Sequence, residues 1–521
     1  MKNKNFSYKN YIKFYFYIIL SHSSFSQPPI NIDLNRDINI QYEQYLNGNS
    51  NIHTCVKPFL YSEAAIKDTN FIYQPINLRD HHFNPDSNGY IEFNPIISLQ
   101  PGYGFNQSKS ILESSLGFGL NGFYSNKIAF NFNVFAGNSG FVNYVDSNIK
   151  QTAVVPGLGS AYRSKLGYSY QNYSGYLSYS PNKIFNFQIG QGKHFFGDGY
   201  RSLFLSDVAK NYPFGMISTS IWKIKYVSLF TAFKDITAPT HLQSDFKNKY
   251  GTFHYLSWNV TKRINLNFFE SIVWQGTDTN RTRAYDINYL NPVIFYRPVE
   301  YSLGSSDNAF LGFGFKVKAF RKQQFYGQLI LDEFLLSEIR AHRGWWANKQ
   351  GFQVGLKSFD LFSIINLTFQ TELNYVRPYT YSHGSVQQNY GHYNQPLAHP
   401  LGANFIESVS FFNYQKKRWT YELKIISAIY GADTAGIDFG KDIFKSYANH
   451  PFEYGNKTAQ GLKTNLVIGD LRIAYVLLPS INLKIEAGMT NRIETSSKGT
   501  TTTPFIYFGI RTILGNFYTD Y

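Results

Sequence analysis

Residues 190–207, GQGKHFFGDGYRSLFLSD, pack four glycines, two aspartates, a lysine, a histidine and an arginine into eighteen positions. The opening Gly190-Gln191-Gly192-Lys193 invites comparison with a phosphate-cradling loop. That motif needs a helix after G-x-x-x-x-G-K-[ST], but His194 follows Lys193 here and no helical period follows. The dinucleotide fingerprint fails as well, because its last glycine is missing. Two readings remain. Gly197 and Gly199 supply positive φ around Asp198 in a tight turn at a strand end. Lys193, His194, Asp198, Arg201 and Asp207 form a polar cluster of charge-assisted hydrogen bonds in an enclosed lumen.

A second dense stretch is DINYLNPVIFYRPVEYSLGSSDNAFLG, residues 286–312, where Arg297, Glu300, Asp307 and Asn308 stand among Tyr289, Phe295, Tyr296 and Tyr301. A third is GWWANKQG, 344–351, with Trp345 and Trp346 beside Asn348 and Lys349. Planar donors and acceptors engage sugar hydroxyls while aromatic faces cover ring C–H surface, so both stretches suit glycan binding. The competing assignments are ion pairs for the charges and lipid-interface anchoring for the aromatics. His383, His392 and His399 lack the compact spacing of a zinc motif. Asp86 and Asn88 in DHHFNPDSNG lack the glycine and glutamate of a calcium loop. No G-x-S-x-G elbow occurs, Gly137-Asn138-Ser139-Gly140 coming nearest. These patterns imply no catalytic residue, no metal and no cofactor.

The elements that must position these groups alternate with period two. Ile128, Phe130, Phe132 and Val134 alternate with Ala129, Asn131, Asn133 and Phe135; Phe185, Phe187 and Ile189 alternate with Asn186, Gln188 and Gly190. Ile365 to Leu373 and Ile481 to Ala487 repeat the pattern. Successive strand residues point to opposite faces, so each segment has an apolar and a polar face. Turns at Ser125-Asn126, Thr261-Lys262-Arg263 and Pro479-Ser480 suit antiparallel hairpins. A soluble propeller would show a blade repeat, and none is visible. Alternating strands with 42 Tyr and 47 Phe predict an all-β transmembrane barrel over residues 91–521, of about 16–18 strands, with a polar lumen and a lipid-facing apolar wall. Trp258, Trp274, Tyr475, Phe517, Tyr518 and Tyr521 are the expected girdle aromatics, and 505–521 the closing strand. Residues 376–405 and 431–460 read as loops or lumen inserts.

Residues 1–26 combine Lys2, Lys4, Lys9 and Lys13 with the apolar run Phe14–Leu20 and a small-residue end, as an export signal does. Its removal lowers the formal charge from +15 to +11. Export argues against nucleic acid as a partner, and the positive balance favours an acidic polymer. Cys55 is the only cysteine, so no intramolecular disulfide can form. Residues 27–90 are polar and irregular, with a short helix near Asp37–Leu46, and read as a periplasmic or plug segment.

Five blocks in order resemble the Wzi-type capsule assembly family of outer-membrane proteins: the 190–207 stretch, YDINYLNPVIFYRPVEYSLGSSDNAFLG, YGQLILDEF, GWWANKQGFQVGLK and RPYTYSHG…YGHYNQPLAHPLGANF. Within it they look most like the branch of gliding-motility proteins called RemB. The resemblance implies a non-enzymatic outer-membrane barrel that binds capsular or other surface polysaccharide, exposes loops at the cell surface, and meets lipid and, in the motility branch, gliding-machinery proteins. Arg297, Tyr301, Asp307, Asn308, Trp345, Trp346, Asn348 and Lys349 are then the candidate glycan contacts. A channel for ions or small solutes and a protein-binding motility scaffold are the alternatives, since one barrel architecture hosts many functions.

Overall fold

The alternating segments form eighteen antiparallel strands in a computed structural model that describes residues 28–47, 52–64, 89–236, 245–278, 281–292, 307–320, 322–434, 436–512 and 515–521. In chain order they are β1 (Gly89–Gly104), β2 (Lys109–Tyr124), β3 (Ile128–Ser139), β4 (Gly167–Tyr179), β5 (Phe185–Gly192) and β6 (Tyr212–Ile221). Then come β7 (Ile224–Asp235), β8 (Lys247–Trp258), β9 (Ile264–Gln275), β10 (Asn308–Ala319), β11 (Gln323–Leu331) and β12 (Gln350–Ser358). The last six are β13 (Leu367–Val376), β14 (Phe405–Lys416), β15 (Trp419–Ala432), β16 (Leu462–Leu478), β17 (Leu483–Ser496) and β18 (Gly499–Arg511). Each pairs with its neighbour in sequence, and β1 pairs with β18 to close the barrel. Closure leaves no edge to expose unpaired backbone groups to hydrocarbon.

Side-chain parity separates the two faces. On β3, Ile128, Phe130, Phe132 and Val134 point outward, while Ala129 and Phe135 are buried inside. Ile91, Phe93, Leu116, Ile189, Val467, Leu471 and Phe508 are exposed on the outer wall, an apolar band of the kind that meets lipid tails. Connections alternate in length. Turns such as Ser125–Lys127 and Lys417–Arg418 crowd one end, and loops such as 140–166, 377–404 and 433–461 crowd the other. Outer-membrane barrels carry short turns on the periplasmic side and long loops outside. At the short-turn end Trp419 packs on Tyr475 with centroids 4.9 Å apart and on Tyr421 at 6.0 Å, forming an aromatic girdle.

Three expectations change. Trp274 is on the outer face but fully buried, because Tyr285 and Tyr289 cover it at centroid distances of 5.0 and 4.8 Å. Phe517, Tyr518 and Tyr521 belong to no girdle and no strand. β18 stops at Arg511, and residues 515–521 run inside the barrel, where Tyr518 and Asp520 meet buried polar partners. Finally, the lumen is not uniformly polar. Val227, Leu229, Phe253, Tyr255, Phe269 and Phe310 point inward and pack on Leu203, Phe204 and Leu205 from the 193–211 loop. An inserted loop with apolar residues requires apolar wall residues opposite it.

Residues 28–47 and 52–64 also lie against the inner wall. The helix α1 (Arg36–Leu46) is capped by Asn35, whose Oδ1 accepts from the Asp37 and Ile38 amides. Helix α2 (Asn143–Thr152) belongs to the 140–166 loop and buries Val145 and Ile149.

Candidate functional site

The stretch 190–207 leaves the end of β5 and turns into the lumen. Its two residues Phe195 and Phe196 pair antiparallel with Lys57 and Val56 of the N-terminal segment. Gly197 holds φ +149°, and a Cβ there would lie 2.5 Å from Gln328 Nε2. Gly199 is not in the positive-φ region as expected; it is needed for space, since a Cβ would come 2.5 Å from the Arg201 carbonyl and 2.8 Å from Glu372 Oε2. The Tyr200 and Arg201 amides donate to the Glu372 carboxylate at 2.8 and 2.9 Å.

Arg201 is 1% exposed, a buried charge that must be paired. Its guanidinium grips Glu407 of β14 through Nη2 at 2.9 Å and Nε at 3.3 Å, and reaches Asp520 Oδ1 at 3.1 Å. His399 Nε2 lies 2.7 Å from Glu407, and Tyr200 donates to Asp520 at 2.6 Å. Burial alone would raise the Asp520 carboxyl, but Arg201 and Lys424 outweigh it and hold the group below the usual carboxylate range. Asp198 accepts from Thr54 at 2.6 Å and pairs with Lys316 of β10 at 3.2 Å. Asp207 accepts from Tyr518 at 2.7 Å and Asn516 at 2.9 Å. Lys193 donates to the Gly157 and Asp207 carbonyls, and burial pushes it down to about 8. Burial likewise lowers His194 to about 3, so it is neutral, with its ring edge-on to Phe214 at 4.5 Å. All five charged or titratable residues of the stretch are thus engaged, and they tie the N-terminal segment, the C-terminal segment and the wall into one knot across the lumen.

α1 makes a second ionic cluster nearer the short-turn end. Asp37 accepts from Arg472 at 2.5 and 3.0 Å and from Lys484 at 2.8 Å, while Arg36 pairs with Glu422. Glu43 bridges Lys57 at 2.7 Å and Lys357. Burial opposes ionisation of Asp37, yet Arg472 and Lys484 prevail and keep its carboxyl well below the ordinary range.

The six candidate glycan residues among the described residues lie at or beside the long loops, each with a partner. Asp307 takes a bidentate contact from Arg283 at 2.8 and 3.0 Å and a hydroxyl from Tyr289 at 2.8 Å. Asn308 donates to the Gln388 carbonyl at 2.9 Å. Asn348 Oδ1 accepts from the Leu335 amide at 2.8 Å. Lys349, fully buried, is 3.2 Å from Asp332 and 4.4 Å above the Tyr447 ring. Trp345 donates to Glu453 at 2.7 Å, and Trp346 stacks on His450 at 4.1 Å; both rings are half-buried. Asp307 and Asn308 are drawn to Gln388, while Trp345 and Trp346 meet the 433–461 loop. Arg297 and Tyr301 lie outside the described residues. His383, His392 and His399 bond separately, to the Ser385 amide, the Lys234 amide and Glu407.

Sequence reading missed Glu372, Glu407 and Asp520 as partners of Arg201, and the Asp37–Arg472–Lys484 cluster. Isolated charges at inward parity, as Glu372 within TFQTELNYV, are the only local signal for such groups.

No protein-family model matches the chain, and no curated protein matches it. Solved structures do. Wzi, described as an outer membrane protein of group 1 capsule assembly in Escherichia coli and a carbohydrate-binding β-barrel, is similar over 93% of this chain and 100% of its own. Its TM-score is 0.54 at 12% identity. Pseudomonas aeruginosa OprD covers 82% of this chain and 96% of its own with a TM-score of 0.42 at 10% identity. OpdK, solved with vanillate, covers 80% and 98% with a TM-score of 0.43 at 8% identity. The Wzi likeness is one of fold: a closed barrel of the outer-membrane type.

Proposed function

We propose that this chain is a non-enzymatic outer-membrane barrel whose long loops hold surface polysaccharide at the cell, for capsule attachment or for gliding over surfaces as in the RemB-like branch. The observation that carries this reading is the knot at Arg201. A pore needs a continuous aqueous path, whereas here buried ion pairs and the inserted Leu203–Leu205 segment stand across the lumen. The loop-end side chains, Trp345 and Trp346 among them, are then the surface left for a ligand, while Asp307, Asn308, Asn348 and Lys349 brace the loops that present it. The carbohydrate binding described for Wzi agrees with this assignment. The test is the partition of polysaccharide between cell surface and medium in a strain lacking the protein, at equal total production. Release into the medium, reversed by the intact gene, supports attachment; an unchanged partition overturns it.

A channel is the second reading. Two lumen cavities, of about 190 and 290 Å³, share Gly515, Asn516 and Phe517 as common lining. Steady conductance of the purified protein in a planar lipid bilayer would favour this reading over attachment.

A further inference from the structure

The short-turn end of the barrel is basic. Eight turns join the strands there, from 125–127 round to 479–482. Lys127, Lys183, Lys223, Lys262 with Arg263, Lys322, and Lys417 with Arg418 stand in six of them, and Asp360 is the one carboxylate in all eight. Among the described residues only Lys322 of these cations has a carboxylate partner, Asp360 at 2.9 Å. Arg418 reaches the Leu477 carbonyl at 3.4 Å, and Lys223 lies 5.3 Å from the Trp222 ring. Long loops at the other end mix the signs. Residues 332–349 set Asp332, Glu333 and Glu338 against Arg340, Arg343 and Lys349. The 140–166 loop has Lys150, Arg163 and Lys165, of which Lys150 pairs with Asp146 at 2.6 Å.

The same turns expose large apolar side chains beside the cations. Trp222, Phe320 and Phe362 are 75%, 81% and 82% exposed, and Ile184, Ile264 and Trp419 directly adjoin Lys183, Arg263 and Arg418. Exposed apolar surface of this kind marks an interaction or membrane face. Here it continues the lipid-facing wall, for Ile264 and Trp419 are outward residues of β9 and β15, and Trp419 belongs to the girdle with Tyr421 and Tyr475. Girdle aromatics sit at the headgroup level of a bilayer. Arg418 lies one residue beyond that girdle, about 3.3 Å along the chain, which brings its guanidinium to the lipid phosphates. The six basic turns follow one another round the wall from β2–β3 to β14–β15 rather than gathering on one side. A ring of cations, each next to apolar surface, matches a ligand that surrounds the barrel; a soluble acidic partner would dock on one contiguous face.

We propose that this ring binds anionic phospholipids of the periplasmic leaflet, the turn cations holding headgroup phosphates while the neighbouring apolar side chains rest against the acyl chains. A zwitterionic lipid also presents a phosphate, but its own ammonium competes for it, so the ring selects headgroups of net negative charge. The proposal does not depend on what the long loops bind. The test uses the full-length protein in phosphatidylcholine vesicles that carry spin-labelled phosphatidylglycerol or spin-labelled phosphatidylcholine, with electron spin resonance reading the fraction of each label immobilised at the protein. Lys127→Gln/Lys183→Gln/Lys223→Gln/Lys262→Gln neutralises four turns, and Lys150→Gln/Arg163→Gln/Lys165→Gln/Lys457→Gln removes as many cations from the long loops. Wild type and the loop variant should prefer phosphatidylglycerol about twofold or more, and the turn variant should prefer neither label. The preference should fade in about 0.5 M sodium chloride, as screening requires. Wild type without a preference overturns the proposal and leaves the ring to a soluble acidic partner. A preference that survives in the turn variant, or is lost in the loop variant, overturns it as well.

Discussion

The lumen has two polar linings that solve the same problem differently. Along β2–β5 the polar inward groups are mostly amides and hydroxyls, and several bond one another within and across strands. Asn131 bonds Asn121, Asn133 donates to Asn131 at 2.8 Å, and Asn186 donates to Ser178 at 2.8 Å. From β10 to β17 the inward groups include many charges beside amides, and the partners of those charges come largely from inserted chain: Asp198 for Lys316, Glu43 for Lys357, Arg201 for Glu407, and Asp37 for Arg472 and Lys484. An amide carries both donor and acceptor and can pair with its like. A buried charge needs an opposite charge, and the wall alone does not supply enough of them. The amide side therefore needs only neutral partners from inserted chain, Asn31 for Gln188 and Asn211 for Asn172, whereas the charged side recruits opposite charges from it.

This contrast can be broken experimentally, and the largest effect belongs at Arg201. Arg201→Met leaves Glu407 and Asp520 without their shared cation, which should cost about 3–5 kcal/mol, the usual penalty for breaking a buried pair. A urea-unfolding midpoint lowered to that extent in lipid vesicles checks it, and a change under about 1 kcal/mol would contradict the knot's role. Next comes Asp37→Asn, with an expected loss of about 1.5–3 kcal/mol for charge-assisted bonds. Its pH dependence sharpens the case. Because Arg472 and Lys484 depress the folded-state pKa of Asp37, its contribution is fully present above the ordinary carboxylate range and lost only as pH falls through the lower folded value. Wild type and variant should therefore differ by a constant amount from pH 7 to pH 5 and converge in stronger acid. The smallest effect is on β1, beside the amide side. Asn94 is buried, and neither of its amide atoms has a partner among the described residues. Asn94→Leu should stabilise by about 1 kcal/mol by removing an unmet polar group. Destabilisation instead would show that bound water or a ligand holds that amide.

The wall was legible because it obeys a local rule. The alternation at Ile128–Phe135 and Phe185–Gly190 reports side-chain parity directly, and the strands appear where it does, eighteen in number within the expected 16–18. Edges blurred where alternation ran on into turns: Ile365 and Ile481 fit the pattern but precede the strands that start at Leu367 and Leu483. The interior was far less legible, since its contacts follow no period. The charges of 190–207 were recognisable as a cluster, but nothing near Arg201 in the chain points to Glu407 or Asp520. Trp274 also carried no local mark of the tyrosines that cover it, because they come from a loop folded back over the outer face. The aromatics of 515–521 resembled a strand end in composition alone.

The inserted segments have a consequence in time. Neighbouring strands can zip together in order, each on the one before, but Asp37 meets Arg472 across 435 residues and Arg201 meets Asp520 across 319. Contacts so distant along a chain form late, after loop closure has been paid for. An unfinished barrel therefore carries Glu407 and Arg472 as naked charges facing water, and the wall must exist before its interior can be neutralised. Closure of the ring by β1 and β18 spans the chain just as these ion pairs do, so it too belongs to the last stage of folding.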